Sequence, residues 1–374
     1  MKPDRQIPCQ QSRGIPLRGA LVFLLLMAML STIITASCQK PSAKRFSTSF
    51  TGSFDTVIQI IAYADHADTF ALWADLAEKR FAELHQLFDI YNAYPELNNL
   101  HTINENAGIK PVQVDQVVID LLRFCLSCDD LSPGTINITL GPVLSIWHDV
   151  RTRAALDEAV SLPSQNDLEK AARLSDLDNL QIDEQGSTVY LALKGMKLDV
   201  GAVAKGYATE LVSRELIAAG MTSGIISAGG SNVRLIGRPA DPERETWQIG
   251  LQNPFSNPLI PDEPTLDTLL VNDQSVVTSG DYQRYFIRDG VVYHHLIDSR
   301  TLQPARHFRA VTVMTTDSGL ADYLSSALFL LPYEESRALV EKINDCEALW
   351  VFPDGHIETT PGMQDRLKSR RPQD

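Results

Sequence analysis

The stretch "LDVGAVAKGYATE", residues 198 to 210, sets Gly201 and Lys205 at the joint between an expected strand and an expected helix. A chain that leaves a strand at Val200, turns at Gly201 and Ala202 and enters a helix near Lys205 presents free backbone amides at the helix start, where an anion is stabilised. Lys205 adds a mobile positive charge. The spacing matches neither G-x-x-x-x-G-K-[ST] nor G-x-G-x-x-G, which excludes the standard triphosphate loop and the dinucleotide fingerprint. Taken alone, the stretch serves equally well as a phosphate-holding loop and as an ordinary strand-to-helix turn with a solvated lysine.

Three further stretches share this character. "ISAGGSNVRLIG" places Gly229 and Gly230 at a turn where backbone comes close to a ligand, "VVTSGDYQRYF" gathers Thr278, Ser279, Asp281, Tyr282 and Arg284, and "YHHLIDSRTLQPA" gathers His294, His295, Asp298 and Arg300. Each closes an expected strand, so together they point to a shared polar cleft at one edge of a sheet. In a fifth stretch, "TTDSGLADYLSSALFLL", Asp317 is a good helix cap and the apolar pattern that follows is helical. Asp322 and Ser326 therefore fall at i and i+4 on one helix face. A carboxylate and a hydroxyl so placed suit magnesium, which takes oxygen ligands and completes its shell with carbonyls, water and phosphate. On spacing alone, a buried aspartate bonded to the serine hydroxyl or to a backbone amide is the simpler account.

The elements that must position these residues alternate between both types. "DTVIQIIAYA" has a strand-like β-branched run, and "FALWADLAEKRFAELHQLFDIY" has Leu72, Leu76, Leu84, Leu87 and Phe88 on one expected helical stripe. "STVYLALKGMKLDV", "TSGIISAGGSNVRLIG", "TWQIGLQNP", "TLLVNDQSVVTSG", "YFIRDGVVYHHLID" and "RAVTVMTT" read as strands with Gly, Asn or Asp at their turns, and "ALWVFPDGHIETT" reads as a late hairpin around Pro-Asp-Gly. Helices grouped between sets of strands predict an α+β fold with mixed or antiparallel sheets and flanking helices, forming one two-lobed catalytic body over residues 48 to 362. Residues 363 to 374 read as a C-terminal tail. Cys125 and Cys128 in "LLRFCLSCDDL" fall one helical turn apart and read as half-buried structural thiols, since no second pair completes a zinc site. Cys346 stands alone.

At the N-terminus, Lys2, Arg5, Arg13 and Arg18 precede the apolar run "ALVFLLLMAML", which is too short to span a bilayer comfortably. In "TIITASC", small residues Ala36 and Ser37 precede Cys38, the arrangement in which a bacterial lipoprotein signal is cut and the new terminal cysteine lipidated. Thr35 departs from the usual leucine, and plain cleavage near Ala36 is the alternative. The expectation is a signal over 1 to 37, lipid on Cys38, and a tether over 38 to 47 that holds an exported protein at the extracytoplasmic face without spanning the membrane. Removing residues 1 to 37 takes away four basic side chains and one acidic one, leaving 29 and 46 and a formal charge of −17. Such a surface does not invite nucleic acid.

The ordered set "LDVGAVAKGYATE", "SAGGSNVRLIG", "TSGDYQRYF", "HHLIDSRTLQP" and "DSGLADYLSSALFLL" closely resembles the ApbE family of FAD:protein FMN transferases, which are often exported lipoproteins. The likeness takes in "LFDIYNAYPELNNLHTINENAG" and "INITLGPVLSIWHDVR" as well, and so covers nearly all of residues 50 to 335. It implies that Lys205 sits in the flavin nucleotide site, that the Ala202 carbonyl, Asp322 and Ser326 bind Mg2+, and that His295 with Asp298, Arg300 and Thr301 lines the same site. Serine at 326 stands where the family usually has threonine. Ser299 and Leu302 replace the proline and glycine of H-I-I-D-P-R-T-G, and of the common M-G-T only Thr56 carries over. Gly201, Gly229, Gly230 and Asp281 are placed by the resemblance near the flavin, with an aromatic residue around Tyr91 or Tyr94 stacked on its ring.

The implied reaction is Mg2+-dependent. A threonine or serine hydroxyl of a partner protein attacks the FMN phosphorus of FAD and AMP leaves, with Asp322 or His295 as the base. The implied acceptor is an exported domain of a membrane redox complex. An FAD pyrophosphatase, a non-catalytic flavin-binding lipoprotein and a solute-binding lipoprotein remain as alternatives.

Overall fold

In the computed structural model, residues 43–156, 158, 160–256 and 264–370 are described. Cys38 and the signal lie outside them. The main sheet has eight strands: β1 (Lys44–Ser53), β2 (Thr56–Ala64), β3 (Gly224–Ala228), β4 (Asn232–Ile236), β5 (Ser275–Gly280), β6 (Ala310–Thr315), β7 (Glu347–Val351) and β8 (Ile357–Thr359). Their spatial order follows chain order and every neighbouring pair is antiparallel, so the sheet is one meander with excursions inserted between strands. The principal helices are α1 (Ala67–Phe88), α2 (Gln116–Asp129), α3 (Gly141–Ala155), α4 (Ala204–Ala218) and α5 (Ser318–Leu330). This is the α+β class expected from the grouping of helices and strands.

Both faces of the sheet are covered. Successive strand side chains point to opposite faces, and β6 shows the result. Val311 and Val313 join the core beneath α1, α4 and α5, whereas Ala310 and Met314 join a second core under the hairpin Trp247–Gln252/Thr265–Val271. α5 is central, with every residue except Leu320 buried. Its first turn is capped as expected, the Asp317 carboxylate accepting from the Leu320 amide at 2.8 Å. A third core joins α3 to the hairpin Tyr285–Arg288/Val291–His294 through Val143, Trp147, Phe286 and Ile297.

Four local readings change. Leu72 is 70% exposed, and the buried stripe of α1 runs through Phe70, Trp73, Ala77, Phe81, Leu84 and Phe88, because the packed face is centred one residue further round the helix. β1 begins at Lys44, inside the stretch read as tether. Met363 and Leu367, in the stretch read as tail, are buried in the second core. The strand expected up to Val200 stops at Leu191, and Leu198 is instead held by the Asn104 side chain, which accepts from its amide at 2.7 Å and donates to its carbonyl at 3.0 Å. Cys125 and Cys128 are buried in α2, and burial pushes the Cys128 thiol up to about 12, so neither acts as a reactive thiolate.

Candidate active site

The start of α4, the middle of α5, the ends of the central strands and α3 surround a cleft of about 570 Å3. Of the residues singled out in the sequence, Thr56, Tyr91, Gly201, Ala202, Lys205, Gly229, Thr278, Ser279, Tyr282, Arg284, His295, Asp322 and Ser326 line it. Gly230, Asp281, Asp298 and Arg300 do not. Asp281 pairs with Arg309 at 2.9 Å, while Asp298 accepts from the Arg300 amide at 2.8 Å and its Nε at 3.2 Å, closing a turn. Leu302 completes that turn at φ 61°, a left-handed conformation usually left to glycine. It is held there by its amide to the Asp298 carbonyl at 2.7 Å and by its carbonyl accepting from the Trp147 indole at 2.9 Å.

Asp322 is the centre of one wall. It is only 6% exposed, its Oδ2 accepts from the Gly206 amide at 2.7 Å, and Lys205 Nζ lies 3.5 Å from its Oδ1. That close approach of α4 to α5 requires glycine at 206, because a Cβ there would run into the Ser318 carbonyl and the Asp322 Cβ. Gly206 was missed in the sequence, although the K-G pair was in view; only the packing of two helices separated by more than a hundred residues shows why it is small. Beside Asp322, Ser326 Oγ lies 3.3 Å from Ser279 Oγ, which also meets Ser325 Oγ at 2.9 Å. Gly229, at φ 68°, turns the chain between β3 and β4 against Thr56, whose hydroxyl fills the space a side chain would need.

The adjacent histidines divide their roles. His294 is buried, its Nε2 2.6 Å from the Ala305 carbonyl and its Nδ1 accepting from the Leu296 amide at 3.2 Å, a pattern that fixes a neutral tautomer. Burial lowers it to about 4. His295 keeps part of its surface on the cleft, while its Nδ1 is buried and has no hydrogen-bond partner among the described residues. Enclosure by protein, followed by the charges of Arg284 and Arg151, lowers its ring to about 3, so it is neutral near pH 7.

Tyr91 reaches the cleft on a loop organised by Asp89, which accepts from the Tyr91 amide at 2.7 Å, the Asn92 amide at 3.1 Å, Asn92 Nδ2 at 2.9 Å and the Tyr94 hydroxyl at 2.9 Å. Burial works against the Asp89 carboxylate, but these bonds outweigh it and hold its pKa below the usual value. Tyr94 is thereby turned to Asp89, and Tyr91 is the aromatic residue of the two that lines the cleft. The Tyr91 ring is stacked on His148 with centroids 4.9 Å apart. His148, Arg151 and Asp199 also line the cleft and were not singled out in the sequence, and they join Arg284, which was. They come from three distant segments, which no local spacing joins.

The fold and the cleft together define an α+β protein with a polar cleft at the ends of its central strands. A solved structure of an ApbE protein from Thermotoga maritima superimposes with a TM-score of 0.74 over 87% of this chain and 100% of its own, at 24% identity. The flavin transferase ApbE of Vibrio cholerae gives 0.70 over 88% and 98%, at 22% identity. The ApbE family model matches residues 54–350. The FAD:protein FMN transferase of Treponema pallidum is 34% identical over 303 residues, 78% of this chain and 81% of its own length, and that of Klebsiella pneumoniae is 31% identical over 277 residues, 74% and 82%. This chain belongs to the ApbE family.

Proposed function

We propose that this protein transfers FMN from FAD to a threonine or serine hydroxyl of a partner protein, with Mg2+, releasing AMP. The observation that carries the reading is the convergence of Asp322, Ser326, Lys205, Ala202 and His295 on one cleft beside an aromatic ring, in a family whose curated relatives are named FAD:protein FMN transferases. The donors that meet there, a carboxylate, serine hydroxyls and the adjoining backbone of Ala202, are hard oxygens and fit magnesium by type. Asp322, Ser326 and the Ala202 carbonyl would hold the ion, and when bound it supplies charge neutralisation at phosphate oxygens.

The residues of the chain account for the rest. Tyr91 offers its face to the isoalloxazine ring. Both Asp322 oxygens are engaged, by Lys205 and by the Gly206 amide, which favours His295, whose neutral ring lines the cleft, as the base. A phosphate brought beside it favours the imidazolium and so raises its basicity from the low value of the ligand-free protein. The acceptor oxygen forms the new bond to the FMN phosphorus, the bond to the AMP oxygen breaks, and the hydroxyl proton passes to His295. The N-terminal pattern supports export with lipid on Cys38, which would place the cleft among exported domains of membrane redox complexes.

The test is to incubate the protein from residue 39 onward with FAD and a threonine-bearing acceptor domain, with and without Mg2+, and to follow intact mass and AMP. A Mg2+-dependent gain of one FMN on the acceptor is expected. AMP without acceptor labelling would replace the proposal with FAD hydrolysis, and tight FAD binding with neither product would leave a flavin carrier.

A further inference from the structure

Arg151 lies on α3 and Arg284 between β5 and the hairpin that follows it, and both line the cleft. Among the described residues neither guanidinium reaches a carboxylate at ion-pair distance. The side-chain partner of Arg151 is the neutral His148, with Nη2 to Nδ1 at 3.2 Å. Arg151 and Arg284 line the same cleft, and burial first, with the charge of Arg284 adding to it, holds the Arg151 guanidinium below its usual value. Asp199, which lines the same cleft, already accepts from the Gly201 amide at 2.9 Å, and burial holds its carboxyl above the usual range. The His295 ring feels the same charges.

Two like charges lining one partly desolvated cleft cost free energy until a counter-ion joins them. Lys205 differs, because its charge is matched by Asp322. We propose that Arg151 and Arg284 form an anion subsite that holds a phosphate group of the flavin nucleotide, apart from the Lys205–Asp322 pair. Guanidinium groups suit this ligand, since their planar donors match phosphate oxygens in pairs. The inference rests on the flavin nucleotide reading of the cleft, but not on transfer.

The experiment is calorimetric titration of the unaltered chain, Arg151→Gln and Arg284→Gln with FAD, FMN, AMP and riboflavin. Each substitution should weaken FAD at least about tenfold while riboflavin, which lacks phosphate, stays within about twofold. A fall for FMN but not AMP assigns the FMN phosphate, and the reverse assigns the AMP phosphate. Unchanged FAD affinity in both variants, or riboflavin falling as far as FMN, overturns the subsite. Should either variant unfold, salt decides on the unaltered chain: rising KCl should weaken FMN and spare riboflavin, and a flat FMN response overturns the proposal. A protein that binds FAD but labels no acceptor loses the transfer reading and keeps the subsite; one that binds none of the phosphate-bearing nucleotides loses both.

Discussion

The two walls of the cleft differ in how their charges are matched. On the α4–α5 wall, Asp322 accepts from the Gly206 amide and faces Lys205, so charge is balanced inside the protein and the geometry is held by helix packing. On the α3–hairpin wall, Arg151 and Arg284 stand without carboxylate partners around two neutral histidines. The first wall is built to hold a fixed arrangement of oxygen donors, and the second to receive negative charge. A large net negative charge on the chain does not prevent this, because local matching of charges, and not the total, sets the potential inside a cleft.

The largest expected effect is on the matched wall. Asp322→Ala should lower acceptor labelling by roughly a thousandfold or more, because the only carboxylate among the proposed metal donors is lost, a change of several kcal/mol. Circular dichroism should report an intact fold; labelling at the normal rate would refute the site. His295→Asn should cost roughly a hundredfold or more in kcat with FAD affinity little changed, which a stopped-flow binding measurement separates from turnover. If FAD affinity fell and turnover of bound FAD did not, the ring would be a binding group and not the base.

Gly206→Ala probes the packing that makes the matched wall. It should lower stability by about 1–3 kcal/mol through overpacking, read as a shift of the thermal midpoint, together with a loss of labelling. The adjacent His294 and His295 give a pH test. Both are lowered in the folded protein, so the unfolded chain binds more protons between the folded values, about 4 and about 3, and the ordinary value near 6.5. Stability should therefore be full above about pH 6.5 and decline as the pH falls, by on the order of 2 kcal/mol at pH 5 for the buried His294. His294→Gln should flatten the decline of the thermal midpoint between pH 7 and 5; an unaltered slope would show that other groups set it. The smallest effect is assigned to Lys205→Ala, a few-fold weakening of FAD, since that charge is already balanced. A larger loss than Arg284→Gln gives would reverse the contrast between the walls.

Several features were legible locally. The hairpins around Gly229–Gly230, Asp289–Gly290 and Pro353-Asp354-Gly355 announced themselves by turn chemistry, and Asp317 by its place before an apolar helix. Leu72 was misplaced because a stripe of leucines can be drawn on more than one face of a long helix, and only the neighbours decide which face packs. Asp298 and Arg300 read as site residues from their types, yet their mutual bonds close a turn outside the cleft lining.

The sequence by itself determined the α+β class, several of the strands with their turns and the set of polar stretches that resemble one family, because periodicity, turn residues and motif spacing are local properties of the chain. Tertiary structure alone decided that His294 is buried against the Ala305 carbonyl, that residue 206 must lack a side chain, and that Arg151 and Arg284 line one cleft. The physical reason is the same in each case: burial and charge matching depend on which distant segments the fold brings into contact, and no spacing along the chain records that distance.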